Sequence, residues 1–320
     1  MDLGRMLDKC RQGQWRADDL DWSAPPPALP PDKEQAVVQA FVDMAGIERL
    51  AAALFRAQRA KATDPTLAAI FDSFVADEDR HAAVAMRLAR YYDVHRYRRY
   101  AMAPALVAFR RPFLAVIELA APDIANAYVT AGELLLDVAL LRSLDDYVGD
   151  AMSHQAMALI NRDESRHIAI DFHMTEVYAS DAYLAAKARL PAPTWGHRAA
   201  TLAAVSRMLW FAQPFLQQVF LAPLDRTDPS GHRLKEALKR IQLIARKPTV
   251  ARLPLMRVML GAQDLYLHPV AGPVLAKGLL RLLGAEARIA ARLYTEAELA
   301  RSQAMSFDEL AEDALAAKGT

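Results

Sequence analysis

The chain has 320 residues, a formal net charge of +1 and a hydrophobic content of 53%. The near-zero net charge gives no overall attraction to nucleic acid or to a membrane, so neither is expected as a partner. A single cysteine, Cys10, excludes an intrachain disulfide and a cysteine-rich metal site. The first residues lack the apolar core of a signal peptide, and charge or proline interrupts every stretch that could span a membrane. These features predict a cytoplasmic globular protein.

Prolines and capping residues divide the sequence into helices, and no run of alternating apolar and polar residues indicates a strand. Residues 1–31 end in a proline-rich run and are predicted to form an extended arm. A helical bundle is predicted over residues 32–190, and residues 191–320 are predicted to form a helical extension packed on it. The helices of the bundle are expected at residues 32–62, 65–92, 105–120, 123–147 and 151–188.

Two nearly identical pentapeptides lie on two of these helices. Residues 77–81 read Asp-Glu-Asp-Arg-His, and residues 163–167 read Asp-Glu-Ser-Arg-His. Each contains Glu-x-x-His, and a glutamate and a histidine three residues apart project from the same face of a helix. Each copy also follows a lone glutamate in apolar surroundings, at nearly the same distance upstream. Packing the two helical hairpins together is therefore predicted to gather Glu48, Glu78, His81, Glu133, Glu164 and His167.

This set of side chains predicts a site for two metal ions. Four carboxylates in an apolar core would repel one another and resist ionising unless cations neutralised them. Oxygen donors with one imidazole per metal suit iron or manganese, and they are the ligands of carboxylate-bridged di-metal centres in helical bundles. Glu118 also lies in apolar surroundings, but Pro122 breaks any straight hairpin from it to Glu164, which favours Glu133. One Glu-x-x-His alone would be an ordinary solvated helix face.

The combination resembles the ferritin-like carboxylate-bridged di-iron oxidase superfamily, over about residues 33 to 180. The Asp-Glu-x-Arg-His form of both motifs is similar to that of soluble acyl-carrier-protein desaturases and of arylamine N-oxygenases. The resemblance implies a ferritin-like four-helix bundle core with additional C-terminal helices. It implies two iron ions, with manganese as the alternative, together with dioxygen and an external electron donor, either ferredoxin-like or a flavin reductase. A homodimer is compatible with it.

The expected function is that of a dioxygen-dependent monooxygenase or oxidase, which hydroxylates or desaturates a small or carrier-bound organic substrate. An alternative is N-oxygenation of an amine. The N-oxygenases carry a further histidine ligand four residues before the last motif glutamate, where this chain has Ile160, which cannot bind a metal. A second alternative is non-catalytic metal binding or storage. The long C-terminal half has no counterpart in storage ferritins, which disfavours that alternative.

Residues around the ligands can also be assigned. A metal-bound histidine usually donates its second ring N–H to a carboxylate, and Asp77 and Asp163 are expected to pair crosswise with the opposite histidines. Asp171 is a candidate outer-shell acceptor or extra ligand, or simply a helix-surface aspartate. Related oxidases link such an aspartate to a tryptophan that carries electrons. Trp22 is the predicted match, with an aromatic plug as the alternative.

Two further patterns bear on partners and packing. Clusters of arginine and lysine near residues 96–111 and 235–257 could dock an acidic carrier protein or the phosphates of coenzyme A, or they could be solvated faces with scattered acids. Four aromatic residues at helical spacing are expected to form plain core rather than an apolar tunnel. These aromatic residues are Trp210, Phe211, Phe215 and Phe220.

Overall fold

A computed structural model describes residues 1–283 and 287–319 of the chain, and all the regular structure in these residues is helical. The all-α prediction is therefore confirmed. The first eight helices are α1 (Leu3–Gln12), α2 (Pro31–Lys61), α3 (Pro65–Tyr92), α4 (Pro104–Leu119), α5 (Pro122–Glu133), α6 (Arg142–Val148), α7 (Ala151–Tyr178) and α8 (Asp181–Ala188). A π-helical segment, Leu134–Leu141, joins α5 to α6, and a 3₁₀ turn, Ala17–Asp19, follows α1.

The C-terminal part continues as shorter helices. They are α9 (Trp195–Phe215), α10 (Ala222–Thr227), α11 (His232–Ala245), α12 (Pro248–Ala251), α13 (Pro254–Leu267), α14 (Ala271–Leu283), α15 (Ala287–Ala290), α16 (Glu296–Ala304) and α17 (Phe307–Ala316). A second π-helical segment, Leu216–Leu221, joins α9 to α10, and a 3₁₀ turn, Ala317–Gly319, follows α17. Proline stands at the first or second position of several of these helices, where its missing N–H costs no hydrogen bond.

The first hairpin of the bundle has the boundaries that its sequence predicts. The carboxylate of Asp64 accepts a hydrogen bond from the backbone N–H of Leu67 at 2.9 Å and so caps α3, while Pro65 takes the first helical position. Helices α2 and α3 pack along most of their length. Gly46 allows α4 to approach closely, because a Cβ at this position would lie 2.5 Å from a methyl carbon of Leu106.

The second hairpin differs from the prediction. The helix expected over residues 123–147 is interrupted by the π-helical segment, in which one extra residue per turn shifts the side chains that follow. The helix expected over residues 151–188 ends at Tyr178, because Ser180 caps a separate helix, α8, by accepting from the backbone N–H of Tyr183.

The N-terminal region also differs from the prediction. The predicted extended arm over residues 1–31 instead begins with helix α1, which Asp2 caps by accepting from the backbone N–H of Arg5. Met6 and Cys10 lie one turn apart and are buried where α1 packs on α3. The proline-rich stretch before α2 does lack regular structure, because proline cannot donate a backbone hydrogen bond.

Four long elements enclose the core of the bundle. Helix α2 packs against α3 and α5, and α7 packs against α5 and α3. The C-terminal helices cover this assembly: α9 packs on α4, α11 on the π-helical segment, and α17 on α7. One stretch, Pro122–Val148, is long and apolar enough to cross a membrane by length and composition alone, but 67% of its most apolar window is buried inside the protein.

Candidate metal centre

The six predicted ligand residues lie together in the middle of the bundle, and all of them are buried. Four helices supply them. They are Glu48 from α2, Glu78 and His81 from α3, Glu133 from the last turn of α5, and Glu164 and His167 from α7. The rival Glu118 is exposed on α4 and lies outside this cluster.

Two overlapping groups of four side chains could each hold a cation. The first contains Glu48, Glu78, His81 and Glu164. The second contains Glu78, Glu133, Glu164 and His167. Within each group the potential ligand atoms lie within 4.8 Å of one another. Glu78 and Glu164 belong to both groups, so the geometry offers two adjacent cation positions with two carboxylates between them.

The histidine rings point the same ring atom into the cluster. Nδ1 of His81 lies 3.1 Å from Oε1 of Glu164. Nδ1 of His167 lies 3.0 Å from Oε1 of Glu78 and 3.0 Å from Oε2 of Glu164. Both imidazoles therefore present Nδ1 to the shared carboxylates, which is where a cation between them would need a nitrogen donor.

The outer ring nitrogens contact aspartates of the opposite motif. Nε2 of His81 lies 3.1 Å from Oδ2 of Asp163, and Nε2 of His167 lies 3.5 Å from Oδ2 of Asp77. These are the crosswise contacts expected from the sequence. An aspartate that accepts from Nε2 fixes the plane of the ring and directs Nδ1 into the cluster, where a cation would replace the Nδ1 proton.

The two motif arginines tie these aspartates together. Arg80 donates to Asp77 at 2.5 Å and to Asp163 at 2.8 Å. Arg166 donates to Asp163 at 2.7 Å and to Asp77 at 3.2 Å. These four side chains form what we call the aspartate–arginine ring, in which two negative and two positive charges balance. Asp77, Asp163 and Arg166 are buried, Arg80 is partly buried, and the ring crosses between α3 and α7.

Hydrogen bonds and charge keep the ring ionised. Burial by itself would raise the pKa of Asp163, but hydrogen bonds from His81 and Trp15 and its pairing with Arg80 hold that pKa well below its usual range. For Asp77, burial is likewise outweighed, here by His167 and Arg80, and its pKa is lowered.

Three of the four ligand glutamates show the opposite shift. Burial alone would raise the pKa of the fourth, Glu164, but the charge of His167 and hydrogen bonds from both histidines hold it well below its usual range. Burial, and then the negative charge of Glu164, raises the pKa of Glu48 to about 7. The same two causes raise the pKa values of Glu78 and Glu133 well above their usual range. Against the effect of burial, hydrogen bonds to Asp163 and Glu164 raise the pKa of His81 to about 10. Four carboxylates in one dry pocket can stay ionised only if positive charge joins them.

Buried carboxylate oxygens without hydrogen-bond partners indicate that cations fit this site. Both carboxylate oxygens of Glu48 and both of Glu78 are buried without a hydrogen-bond partner in good geometry. Buried carboxylates of this kind are paired with charge or bound to a metal in stable proteins. The aspartate–arginine ring is already neutral, so the four glutamates, with four negative charges, match two divalent cations.

The tryptophan next to the centre is Trp15 rather than the predicted Trp22. The indole Nε1 of Trp15 donates to Oδ2 of Asp163 at 2.6 Å, and its ring stacks on that of His81 with centroids 6.3 Å apart. The guanidinium of Arg80 lies 5.0 Å from the centroid of the Trp15 ring. Trp15 lies shortly after the end of α1, and the packing of α1 on α3 brings Trp15 to the metal centre.

Trp22 lies outside the centre. Its indole N–H donates to the backbone carbonyl of Ala17 at 2.6 Å. Its ring packs edge-on against Tyr91, and Arg87 lies over it at 4.0 Å. Trp22 was predicted because it precedes the first bundle helix in the sequence, but the packing of α1 on α3 brings Trp15 to the centre instead.

Two further acids lie near the centre. Asp171, one turn after His167, is fully buried rather than on a helix surface, and neither of its oxygens has a hydrogen-bond partner. Asp137, one turn after Glu133, was not singled out from the sequence. It is fully buried in the π-helical segment and forms a close ion pair with Lys318 of the C-terminal 3₁₀ turn. The sequence does carry a signal for Asp137, because it is the one acid in the otherwise apolar run Leu134–Leu141.

No protein-family model matches this sequence, and a comparison with curated proteins finds no significant match. The argument for function therefore depends on the geometry of the centre.

Proposed function

We propose that this protein is a ferritin-like di-iron oxidase, with manganese as the alternative metal, that uses dioxygen to oxidise an organic substrate. The observation that carries the proposal is the pair of overlapping four-residue groups that share Glu78 and Glu164. One cation would be held by Glu48 and His81 together with the shared pair. The other would be held by Glu133 and His167 with the same pair.

The donor set favours a redox-active metal over a structural one. Six carboxylate and imidazole donors, with no thiolate, suit iron or manganese and leave coordination positions open for small molecules. A closed zinc site would be rich in cysteine, and the only cysteine, Cys10, is a buried residue of α1 outside both ligand groups. A bound pair of such ions supplies two-electron chemistry toward dioxygen.

The surrounding residues of the chain have separable tasks. The four glutamates supply the negative charge that retains divalent cations, and burial of all six side chains excludes bulk water from the pocket. Asp77 and Asp163 accept from the outer ring nitrogens and so hold each Nδ1 toward the shared glutamates. The aspartate–arginine ring keeps both aspartates ionised, which preserves that orientation.

Hydroxylation or desaturation of a small or carrier-bound organic molecule is the reaction class we propose, with electrons from an external donor. N-oxygenation is the weaker alternative, because Ile160 is a buried apolar residue at the position where a seventh ligand would stand. Cation storage is also weaker, because the C-terminal helices cover the bundle on several sides.

Metal analysis and oxygen consumption test the proposal together. The chain expressed with ample iron should retain two metal ions per chain. After anaerobic reduction it should consume dioxygen as the metals are reoxidised. Recovery of neither iron nor manganese would remove the proposal. Two bound metals without oxygen consumption would support storage instead, and consumption that amines accelerate while acyl carriers do not would favour N-oxygenation.

A further inference from the structure

Helix α9 exposes a stripe of large apolar side chains. Trp195, Leu202 and Trp210 are 83%, 68% and 79% exposed. They are seven and eight residues apart, so they lie on the same side of the helix. Trp210 was expected in the core, and the structure contradicts that expectation.

The packing of α9 on α4 determines which side of the helix faces outward. Met208 and Phe215, seven residues apart, are the buried residues of α9, and the ring of Phe215 stacks on Phe109 of α4 with centroids 4.2 Å apart. Trp210 follows Met208 by two residues, which is about 200° around the helix. The tryptophan stripe therefore points away from the bundle.

Two neighbouring helices extend this surface. Helix α14 contacts both α9 and α13. Val258 and Met259 are exposed on α13, and Val274 and Leu275 are exposed on α14, where Val274 is 79% exposed. A soluble chain seldom leaves so many large apolar side chains in water without a partner to cover them. We call the exposed residues of α9, α13 and α14 the C-terminal face.

The charge of the C-terminal face is mainly positive, because its one acid, Asp264 on α13, is paired with Arg246 of α11. The sequence has no aspartate or glutamate between Asp181 and Asp225, and none between Asp264 and Glu286. Exposed arginines are interspersed with the apolar residues, and Arg198 lies over the ring of Trp195 at 5.2 Å. Within residues 1–283 and 287–319, no carboxylate forms an ion pair with Arg198, Arg207 or Arg257.

We propose that the C-terminal face docks on the surface of an anionic phospholipid membrane. Interfacial membrane binding combines exposed apolar side chains, tryptophans that settle at the headgroup level, and arginines that attract anionic lipid. A second copy of the chain fits less well, because a two-fold interface would place arginines opposite arginines, and the one acid of this face, Asp264, is already paired with Arg246. An acidic carrier protein would match the charge but would leave the apolar stripe unexplained. The proposal departs from the sequence-based expectation of no membrane partner and does not depend on the metal centre.

Vesicle co-sedimentation tests this inference with the full chain. Vesicles of phosphatidylcholine containing phosphatidylglycerol should carry the protein into the pellet, while vesicles of phosphatidylcholine alone should carry much less. The double variant Arg198→Gln/Arg207→Gln should bind about thirtyfold more weakly, because each basic residue near the membrane contributes about fivefold. Trp195→Ser/Trp210→Ser should also bind weakly, and its own fluorescence should no longer shift to the blue with vesicles.

The matched control is Arg56→Gln/Arg59→Gln, which removes two exposed arginines of α2 and should bind as the parent does. Failure of the parent protein to bind anionic vesicles would overturn the proposal, as would equal binding to neutral vesicles. The parent protein could instead form a dimer and bind no vesicles. If Trp195→Ser/Trp210→Ser then dissociated that dimer, the result would overturn the membrane proposal in favour of an interface between copies of the chain. The parent protein alone decides the first two outcomes, so they do not require the variants to fold.

Discussion

The two halves of the centre repeat one motif but surround its histidines differently. His81 stacks on Trp15, whose indole also reaches the aspartate that orients the ring. His167 instead packs against Phe74, with centroids 4.1 Å apart, and against Phe55 at 5.1 Å. Each imidazole contacts an aspartate of the ring through Nε2, but the ring of His81 packs on an indole that donates to the same aspartate, whereas the ring of His167 packs on phenyl rings. If both cation positions are filled, they should not be equivalent.

The halves also differ at matched positions one turn after a ligand. The residue four after Glu48 is Ala52, whereas the residue four after Glu133 is Asp137. The residue four after His81 is Ala85, whereas the residue four after His167 is Asp171. The second half thus carries two extra buried acids, and only one of them has an ion-pair partner in the part of the chain that the structure describes. Near-duplicate motifs therefore do not create a symmetric site.

The largest expected effect is on metal content, and it distinguishes a ligand that both cation positions share from a ligand of one position only. Glu78→Ala removes a carboxylate that both cation positions use, so we expect the protein to retain neither metal. Glu48→Ala removes a ligand of one position and should leave about one metal per chain. Metal content by mass spectrometry measures both, with the exposed Glu118→Ala as a control that keeps two. Equal losses from the first two variants would show that the two positions do not share Glu78.

The second effect concerns Asp137, one of the two buried acids that only the second half possesses. Lys318→Met leaves Asp137 buried without its positive partner, which should lower the free energy of unfolding by about 3–5 kcal/mol. The double variant Asp137→Leu/Lys318→Met should recover most of that loss, because no charge then remains buried. Urea denaturation of the chelator-treated protein measures these values.

A surface ion pair provides the control for that measurement. Arg59→Met breaks an exposed pair with Asp72 and should change the free energy of unfolding by about 1 kcal/mol or less. If Lys318→Met were equally mild, the C-terminal turn would not be held by this ion pair, and the contrast between the two halves would weaken.

Metal binding should depend on pH, because protons compete with cations for the same ligand atoms. The pKa of Glu48 is raised to about 7 and that of His167 to about 9, so both groups hold protons at lower pH and must release them to bind a metal. Affinity should therefore rise with pH, by about tenfold per unit for each proton displaced. Anaerobic manganese titrations against a chelator, from about pH 6 to about pH 9, measure the slope. A flat profile would contradict the proposal that these groups are ligands.

The smallest expected effect tests the polar environment of His81. Trp15→Phe removes the indole donor to Asp163 while keeping an aromatic ring beside the imidazole. Loss of such an outer contact should lower metal affinity at the first position, or the rate of metal reduction, by about tenfold. Trp22→Phe should change neither quantity, because Trp22 bonds to a backbone carbonyl away from the centre. A larger effect from Trp22 than from Trp15 would restore the role that the sequence first suggested for it.

Several particular features were predictable because their signal is local. Helix boundaries at Asp64 and Pro65 follow from capping and from proline geometry, and the structure has them. The six residues of the centre were found because Glu-x-x-His spacing places its members on one face of a helix, and because lone glutamates are rare in apolar runs. The same rule would have identified Asp137, which lies in the run Leu134–Leu141.

Other features were not predictable because they depend on contacts between distant segments. Trp15 reaches Asp163 only because α1 folds back on α3, and nothing near Trp15 in the sequence distinguishes it from Trp22. The exposure of Trp210 was missed because helical spacing shows which residues share a face but not whether another element covers that face.

The sequence by itself determined the helical class, the repeated motif and the types of atom available to bind a cation, because helix periodicity and side-chain chemistry are properties of short segments. Only the tertiary structure decided that Glu78 and Glu164 belong to both ligand groups, that the motif aspartates and arginines close into a ring, and that the second half carries unmatched acids. Those outcomes depend on how α3, α5 and α7 pack, and the free energy of that packing comes from apolar surfaces spread over the whole chain.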